Sequence, residues 1–479
     1  MDKLFYLLLI IINVSIISSK YFSLKTERKE SKKYTKAINE LISKYKIDII
    51  STPEEDLKNR HLTSLSKLNK TIKINPYFSS INLNNFFNIQ YFGTIYLGST
   101  NQKISIIFDT GSNILWVPLF NCTSCRNYTK KYNPLNSSTS KSLNIKKNIT
   151  YAIGYVNGNL YEDSININSN PKKEFLYNQK MQADNFRFLV VHEEKNLSGT
   201  IADGVMGLGI NNEGNSRNSF IETLYNQNKI LTPSFSFYLT HSKDQSRIYI
   251  GDILENNYIK NFFKNKKFNK CDVPLQSNYW LCNIQNGIQM YDSFGKNDYN
   301  FISNSNLIFD TGTSYIIIPR NDFLNIITHF NRRMPEKCKI NQNYQLICKC
   351  NSQYEFGSFS IFLGFGNYFN ISFSDIIDFN SKNSFQCHFQ IMVDVFDIKT
   401  WILGDSALRS TLISFNMENR EIKFIQNVNG MFNQDNLAIS ASDYIDKLNK
   451  SYNSLIYWLL GVFVLLIIVF IILYYVNSN

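Results

Sequence analysis

The sequence predicts an all-β protein built from two like lobes. From about Tyr77 onward it runs as short β-branched and aromatic stretches separated by Asn, Gly and Asp, the texture of strands and turns. A thirteen-residue segment also recurs 201 residues further on: Ile106–Pro118 reads IIFDTGSNILWVP and Leu307–Pro319 reads LIFDTGTSYIIIP. Composition agrees with a large buried core, because 44% of the 479 residues are apolar and 15% aromatic, which excludes a disordered or fibrous chain. At roughly 150 residues per domain the length allows about three units.

The first unit precedes the β texture. Lys3 is followed by the apolar run Leu4–Ile17 and the small pair Ser18-Ser19, so residues 1–19 are expected to be a signal peptide. A membrane anchor fits less well, because Asn13 and Ser15 interrupt a run that is already short. Residues 20–77 are Lys-rich, and Ala37, Ile38, Leu41, Ile42 and Tyr45 fall at helical spacing within a helix expected over Tyr34–Ile50. Between Lys20 and Lys73 there are 14 basic and 7 acidic residues, so this stretch carries +7 of the formal +12. A charge concentrated in one segment argues against a nucleic-acid-binding face spread over a domain.

The lobes are expected at 78–255 and 256–427. Across the aligned repeat the Ile, Phe, Asp, Thr, Gly and Pro positions are identical, and each copy is followed at a similar distance by two apolar residues and a glycine. Val205-Met206-Gly207 ends 98 residues after Asp109, and Ile402-Leu403-Gly404 ends 94 after Asp310. Each lobe therefore supplies one aspartate.

The eight cysteines, Cys122, Cys125, Cys271, Cys282, Cys338, Cys348, Cys350 and Cys387, form an even set that reads as up to four disulfides in a secreted chain. Eight cysteines allow 105 pairings, so spacing alone does not give the connectivity. Cys122-x-x-Cys125 has no second CxxC partner, and the five histidines are scattered, so no metal site is expected.

A polar linker, 428–454, leads to Leu455–Val476, 22 residues without a formal charge. At about 1.5 Å per residue that run spans about 33 Å, enough to cross a bilayer as a helix. The tail 477–479 lacks the expected positive charge, and Lys447 and Lys450 lie on the other flank. A lipid-anchor signal, with Ser440-Ala441-Ser442 before the spacer Asp443–Asn453, is the alternative reading.

Asp-Thr-Gly at the end of an apolar strand has a physical logic. The glycine lets backbone approach the carboxylate, and the threonine hydroxyl can reach across to a partner loop. If two such loops meet, like charges roughly 3 Å apart cannot both ionise, so the pair shares a proton. One aspartate is then a base toward a water and the other an acid toward a carbonyl, with no metal, cofactor or covalent intermediate.

These residues resemble the pepsin-like aspartic proteases over roughly 78–426. Asn88–Gly98 (NIQYFGTIYLG), the first Asp-Thr-Gly segment, Ile149–Gly158 (ITYAIGYVNG), Asp203–Gly209 (DGVMGLG), Leu307–Ser314 and Trp401–Arg409 (WILGDSALR) occur in that family's order. The high Asn, Lys and Ile content narrows the resemblance toward the plasmepsin-type enzymes of apicomplexan parasites.

The resemblance implies a bilobal all-β fold, here with a C-terminal membrane helix, and an aspartic endopeptidase acting on peptides or proteins. Asp109 and Asp310 would be the catalytic pair, supported by Thr110, Gly111, Ser112, Thr311, Gly312 and Thr313. Tyr151 would be the tyrosine of a flap closing over substrate, Trp116 its indole partner, and Ile107 the wall of an apolar pocket. Ala152 stands where a glycine is common, and Ile114 replaces a frequent Asn, which leaves flap motion and specificity open.

The family also suggests pairing Cys122 with Cys125 and Cys350 with Cys387; Cys338 with Cys348 and Cys271 with Cys282 would then be local extras. It implies that 20–77 is an inhibitory prosegment, with Lys67, Lys70 or Lys73 facing the aspartates. The expected protein is a monomeric zymogen in the secretory pathway or at the cell surface, its catalytic part lumenal or extracellular. A catalytically silent relative that binds peptides in the same cleft is the alternative.

Overall fold

A computed structural model describes residues 79–428 apart from 152–153, 168–180, 198, 211–218, 243–244, 255–262, 265, 334–337, 381–385 and 396–397. The expected signal peptide, prosegment, membrane helix and its linker, together with Ala152, lie outside the described residues. Within them the protein is mostly β, and no described helix is long and apolar enough to cross a membrane.

The sequence repeat becomes a repeat of sheet topology. In the first half, strand Gln102–Asp109 runs parallel to Gly204–Gly207, which is antiparallel to Leu115–Pro118, itself parallel to Gln182–Lys195. In the second half, Asn306–Phe309 runs parallel to Thr400–Leu403, which is antiparallel to Ile316–Ile318, itself parallel to Gln386–Val393. The chain thus leaves one strand at Asp-Thr-Gly and returns in another, with a third, Gly-ended strand between them. That is why the repeat carries two separated motifs.

Burial follows the pleat. Along Gln90–Leu97 buried and half-buried positions alternate, with Tyr91, Gly93, Ile95 and Leu97 turned inward. Leu115–Pro118 and Gly204–Gly207 are buried at every position, as strands covered on both faces must be.

A six-stranded sheet joins the halves, in the order Ser79–Asn82, Arg247–Ile250, Ser234–Tyr238, Thr411–Asn416, Glu421–Gln426 and Asn269–Asp272. It takes strands from both sides of residue 255, so a boundary there divides the chain but not this sheet. At its centre Phe235 stacks on Phe415 with ring centroids 5.0 Å apart, and Trp280 lies edge-on to Phe415 at 5.1 Å. Each such pair is worth about 0.5–1.5 kcal/mol beyond its burial. Trp280 also donates its indole N–H to the Leu208 carbonyl at 2.9 Å, tying the second half to the turn after Gly207.

Helix Arg320–Arg333 buries Phe323, Ile326 and Phe330 and places Asp322 where it accepts the Trp401 indole N–H at 2.7 Å. Four disulfides, Cys122–Cys125, Cys271–Cys282, Cys338–Cys348 and Cys350–Cys387, make the pairings the resemblance suggested.

Candidate active site

The two Asp-Thr-Gly turns meet across the repeat. Gly111 N–H donates to Asp109 Oδ1 at 2.7 Å and the Ser112 hydroxyl to Asp109 Oδ2 at 2.5 Å. The second turn repeats the pattern, with Gly312 N–H on Asp310 Oδ1 at 2.8 Å and the Thr313 hydroxyl on Asp310 Oδ2 at 2.7 Å. Both oxygens of each carboxylate are therefore held by donors from its own turn, which fixes their orientation.

The turns also approach one another closely. A Cβ on Gly312 would lie 2.2 Å from Asp109 Oδ1, and one on Gly111 would lie 2.6 Å from Asp310 Oδ1. Each carboxylate thus occupies space that only the opposite glycine leaves free. Thr110 and Thr311 sit beneath, buried, with each side chain bonded to the other turn's backbone.

Electrostatics favour one shared proton. Asp109 is buried, and its carboxyl is pushed well above the usual carboxylate range, first by desolvation and then by the neighbouring Asp310 charge and hydrogen bond. The bonds from Ser112 and Gly111 act in the opposite sense.

The hairpin carrying Tyr151 brings a second layer. Tyr151 N–H donates to the Gly154 carbonyl at 2.7 Å, and the buried Trp116 donates its indole N–H to the Tyr151 hydroxyl at 2.8 Å. Ile107 lies in a buried apolar cluster with Ile114, Trp116 and Leu189, against which Tyr151 packs. Thr110, Gly111, Ser112, Thr311, Gly312 and Thr313 thus surround the two aspartates, and Trp116 and Ile107 share the cluster against which Tyr151 packs. Among the described residues no group of three or more His, Cys, Asp or Glu is placed to hold a metal.

Two features were not anticipated. Asp405, in the Asp405–Leu408 helix, is buried and near enough to Asp310 and Asp109 to feel both charges, and its carboxyl is raised well above the usual range, mainly by burial. The signal was an asymmetry in the repeat: Asp405 follows Gly404 where the first half has Leu208 after Gly207. The other is Arg126, just beyond the Cys122–Cys125 loop. It pairs with buried Glu194 at 2.5 Å, donates to the Thr200 carbonyl and to that of Ala202 at 2.9 Å, and so ties that loop to the strand beside the hairpin. A cation just after a CxxC carries no such message in sequence.

Two carboxyls held at contact, sharing a proton beneath an aromatic hairpin, can activate a water and polarise a carbonyl together. The comparisons with known proteins agree. The model of the eukaryotic aspartyl protease family matches residues 90–427. Pregnancy-associated glycoprotein 2 of Bos taurus is 26% identical over 401 residues, covering 81% of this chain and 96% of its own length. Pepsin A of Suncus murinus is 27% identical over 349 residues, covering 71% of this chain and 81% of its own. Vacuolar protease A of Aspergillus fumigatus is 29% identical over 255 residues, or 51% and 57%. With paired Asp-Thr-Gly turns facing one another and a family match across most of its length, the chain belongs to the eukaryotic aspartyl proteases.

Proposed function

We propose that this protein is an aspartic endopeptidase that hydrolyses peptide bonds through a water held between Asp109 and Asp310. The observation that carries this reading is the matched clamp on the two carboxylates, one glycine N–H and one hydroxyl on each. Burial and the neighbouring charge favour one shared proton on the pair, so one carboxyl polarises the scissile carbonyl while the other, ionised, takes a proton from the water. Attack gives a tetrahedral diol; transfer of a proton to the amide nitrogen then releases the amine product. Tyr151, held by the Trp116 indole, closes over the bound peptide, and Ile107 lines an apolar pocket that selects apolar side chains.

Asp109→Asn and Asp310→Asn decide the matter, assayed on peptides with the purified protein after acid treatment. Loss of cleavage in both variants, with melting curves retained, supports the mechanism. Unchanged cleavage in either removes it, and an inactive parent that still binds peptide favours a silent binding relative.

The surrounding biology belongs to the same reading. Residues 20–77 act as a basic prosegment over the carboxylates, and acid releases it by neutralising the groups that hold it, with cleavage near Tyr77. Full activity with that segment still attached would sink this part. Leu455–Val476 anchors a monomeric enzyme in a secretory or surface membrane, catalytic part outward; release by a phospholipase that cuts lipid anchors would replace the helix with a lipid. The plasmepsin-type narrowing rests on composition alone.

A further inference from the structure

The turn of the Tyr151 hairpin rests on one short piece of backbone. A Cβ on Gly154 would lie 2.1 Å from the Lys195 carbonyl oxygen and 3.1 Å from the Asn196 backbone, so the hairpin sits directly on the end of strand Gln182–Lys195. The Gly154 carbonyl accepts the Tyr151 N–H, while Tyr155 and Val156 pair with Lys195 and Glu194. Where Lys195 stands therefore sets where Tyr151 stands.

Arg126 holds that seat from outside the hairpin. It follows the Cys122–Cys125 disulfide, and its side chain is 7% exposed against 2% for that of Glu194. Its Nε–H donates to Glu194 Oε1 at 2.5 Å, one residue before Lys195. Its Nη1 donates to the Thr200 carbonyl and to that of Ala202 at 2.9 Å. One guanidinium thus grips the chain both where it leaves strand Gln182–Lys195 and where it approaches Gly204–Gly207. Stability does not require charge here, because apolar residues of like volume commonly replace a buried ion pair without loss. What a fork of fixed N–H donors adds is direction.

We propose that Arg126 is a positioning residue for peptide hydrolysis, fixing the Lys195–Asn196 backbone on which the hairpin turns and, through it, Tyr151. The inference rests on the reading of Tyr151 as the residue that closes over the bound peptide. The route is short, from Arg126 through Glu194 and Lys195 to Gly154 and Tyr151, and Tyr151 lies near enough to Asp109 to feel its charge.

The test removes the pair without leaving a buried charge. Arg126→Met combined with Glu194→Met puts apolar side chains in place of both ions, and the melting curve should stay close to the parent's. Gln90 still holds the intervening segment, donating to the Gly199 carbonyl at 2.8 Å and accepting the Ile201 N–H at 2.9 Å. Assayed on peptides after acid treatment, well below melting, the double variant should lose about tenfold in kcat/KM, as expected for Tyr151→Phe. Adding Tyr151→Phe should then cost about twofold at most, because both changes act through one side chain. A merely structural pair would leave kcat/KM unchanged in a folded variant. Unchanged kcat/KM, or losses that multiply in full with Tyr151→Phe, overturn the proposal. Tyr151→Phe as active as the parent would instead overturn the reading of the hairpin, and the proposal with it. If the double variant does not fold, Arg126→Lys carries the test: it keeps the charge beside Glu194 but cannot fork to both carbonyls, so about a threefold loss is expected and none overturns the proposal.

A second readout needs no turnover and so stands apart from the protease reading. In the full chain carrying Asp109→Asn, amide exchange at Tyr151 and Val156 should quicken about tenfold in the double variant, while helix Arg320–Arg333 exchanges as in the parent. Equal exchange at Tyr151 and Val156, or a rise everywhere alike, overturns the proposal.

Discussion

Thr110 and Thr311 present their hydroxyls to one another's backbone. Thr110 N–H donates to Thr311 Oγ1 at 3.1 Å and Thr311 N–H to Thr110 Oγ1 at 2.9 Å. Each hydroxyl then donates onward to the opposite strand, Thr110 to the Phe309 carbonyl at 2.8 Å and Thr311 to that of Phe108 at 2.6 Å. The crossing is symmetric, so the two turns are held in register by four bonds that belong to neither half alone.

Replacing either threonine with valine keeps the shape and removes two of those bonds, leaving a buried N–H and a buried carbonyl without partners. That should cost about 1–3 kcal/mol of stability for each orphaned group. Because the carboxylates sit on the same turns, kcat should fall while KM changes little. Calorimetry with steady-state kinetics separates the two effects, and a variant that loses stability but keeps kcat would show that the crossing does not position the pair. The double variant should cost less than the sum of the singles, since both remove one network.

Much of this is legible in the sequence. The offset of 201 residues between Asp109 and Asp310 announced duplication, and the later apolar-apolar-Gly segments marked the strands that lie between the arms of each motif. What sequence could not give was pairing across the halves. The join of Phe235 with Phe415, 180 residues apart, depends on which strands meet, and nothing in either segment names its partner. Arg409 was hidden for a similar reason: its bond to the Asn88 carbonyl spans 321 residues. Charged residues in a motif look alike whether they are paired, bare or exposed.

In the Tyr151 hairpin the tyrosine hydroxyl accepts the Trp116 indole N–H at 2.8 Å. Tyr151→Phe keeps the ring beside the paired aspartates but leaves that buried N–H orphaned. A drop in kcat/KM of about tenfold is expected, the size of one such loss. Trp116→Phe should match it, and adding Tyr151→Phe should then cost little more. Additive losses would mean that the two aromatic residues act on substrate separately.

Gly312 is the tightest point of the site. A methyl group there would meet Asp109 Oδ1 at 2.2 Å and Cγ at 2.4 Å, whereas at Gly111 the nearest Asp310 atom is at 2.6 Å. Neither contact can be relieved without moving one of the paired carboxylates. Gly312→Ala should therefore fold and lose activity by about a hundredfold or more, the usual cost of an ångström of misplacement. Gly111→Ala should lose less. Peptide turnover measured beside circular dichroism checks both, and full activity in Gly312→Ala would place the reacting carboxylates elsewhere.

Asp405 offers a test through stability. Its carboxyl is buried, and Oδ1 has no hydrogen-bond partner, so the folded protein holds the proton well above the ordinary range around 3.8 that the unfolded chain shows. The sign follows from proton counting. Below 3.8 both states are protonated and Asp405 costs nothing. Above it the unfolded chain releases a proton that the folded chain keeps, so stability falls by about 1.4 kcal/mol per pH unit until the raised value is passed. Asp405→Asn has the shape of the neutral acid and no such proton. Its melting temperature should therefore equal the parent's in strong acid and exceed it by a few degrees at neutral pH. Thermal melts of parent and variant across that range decide it. Parallel curves at every pH would mean that Asp405 ionises in the folded protein as readily as in the unfolded chain, and that its burial beside the catalytic pair is compensated by the Arg409 field.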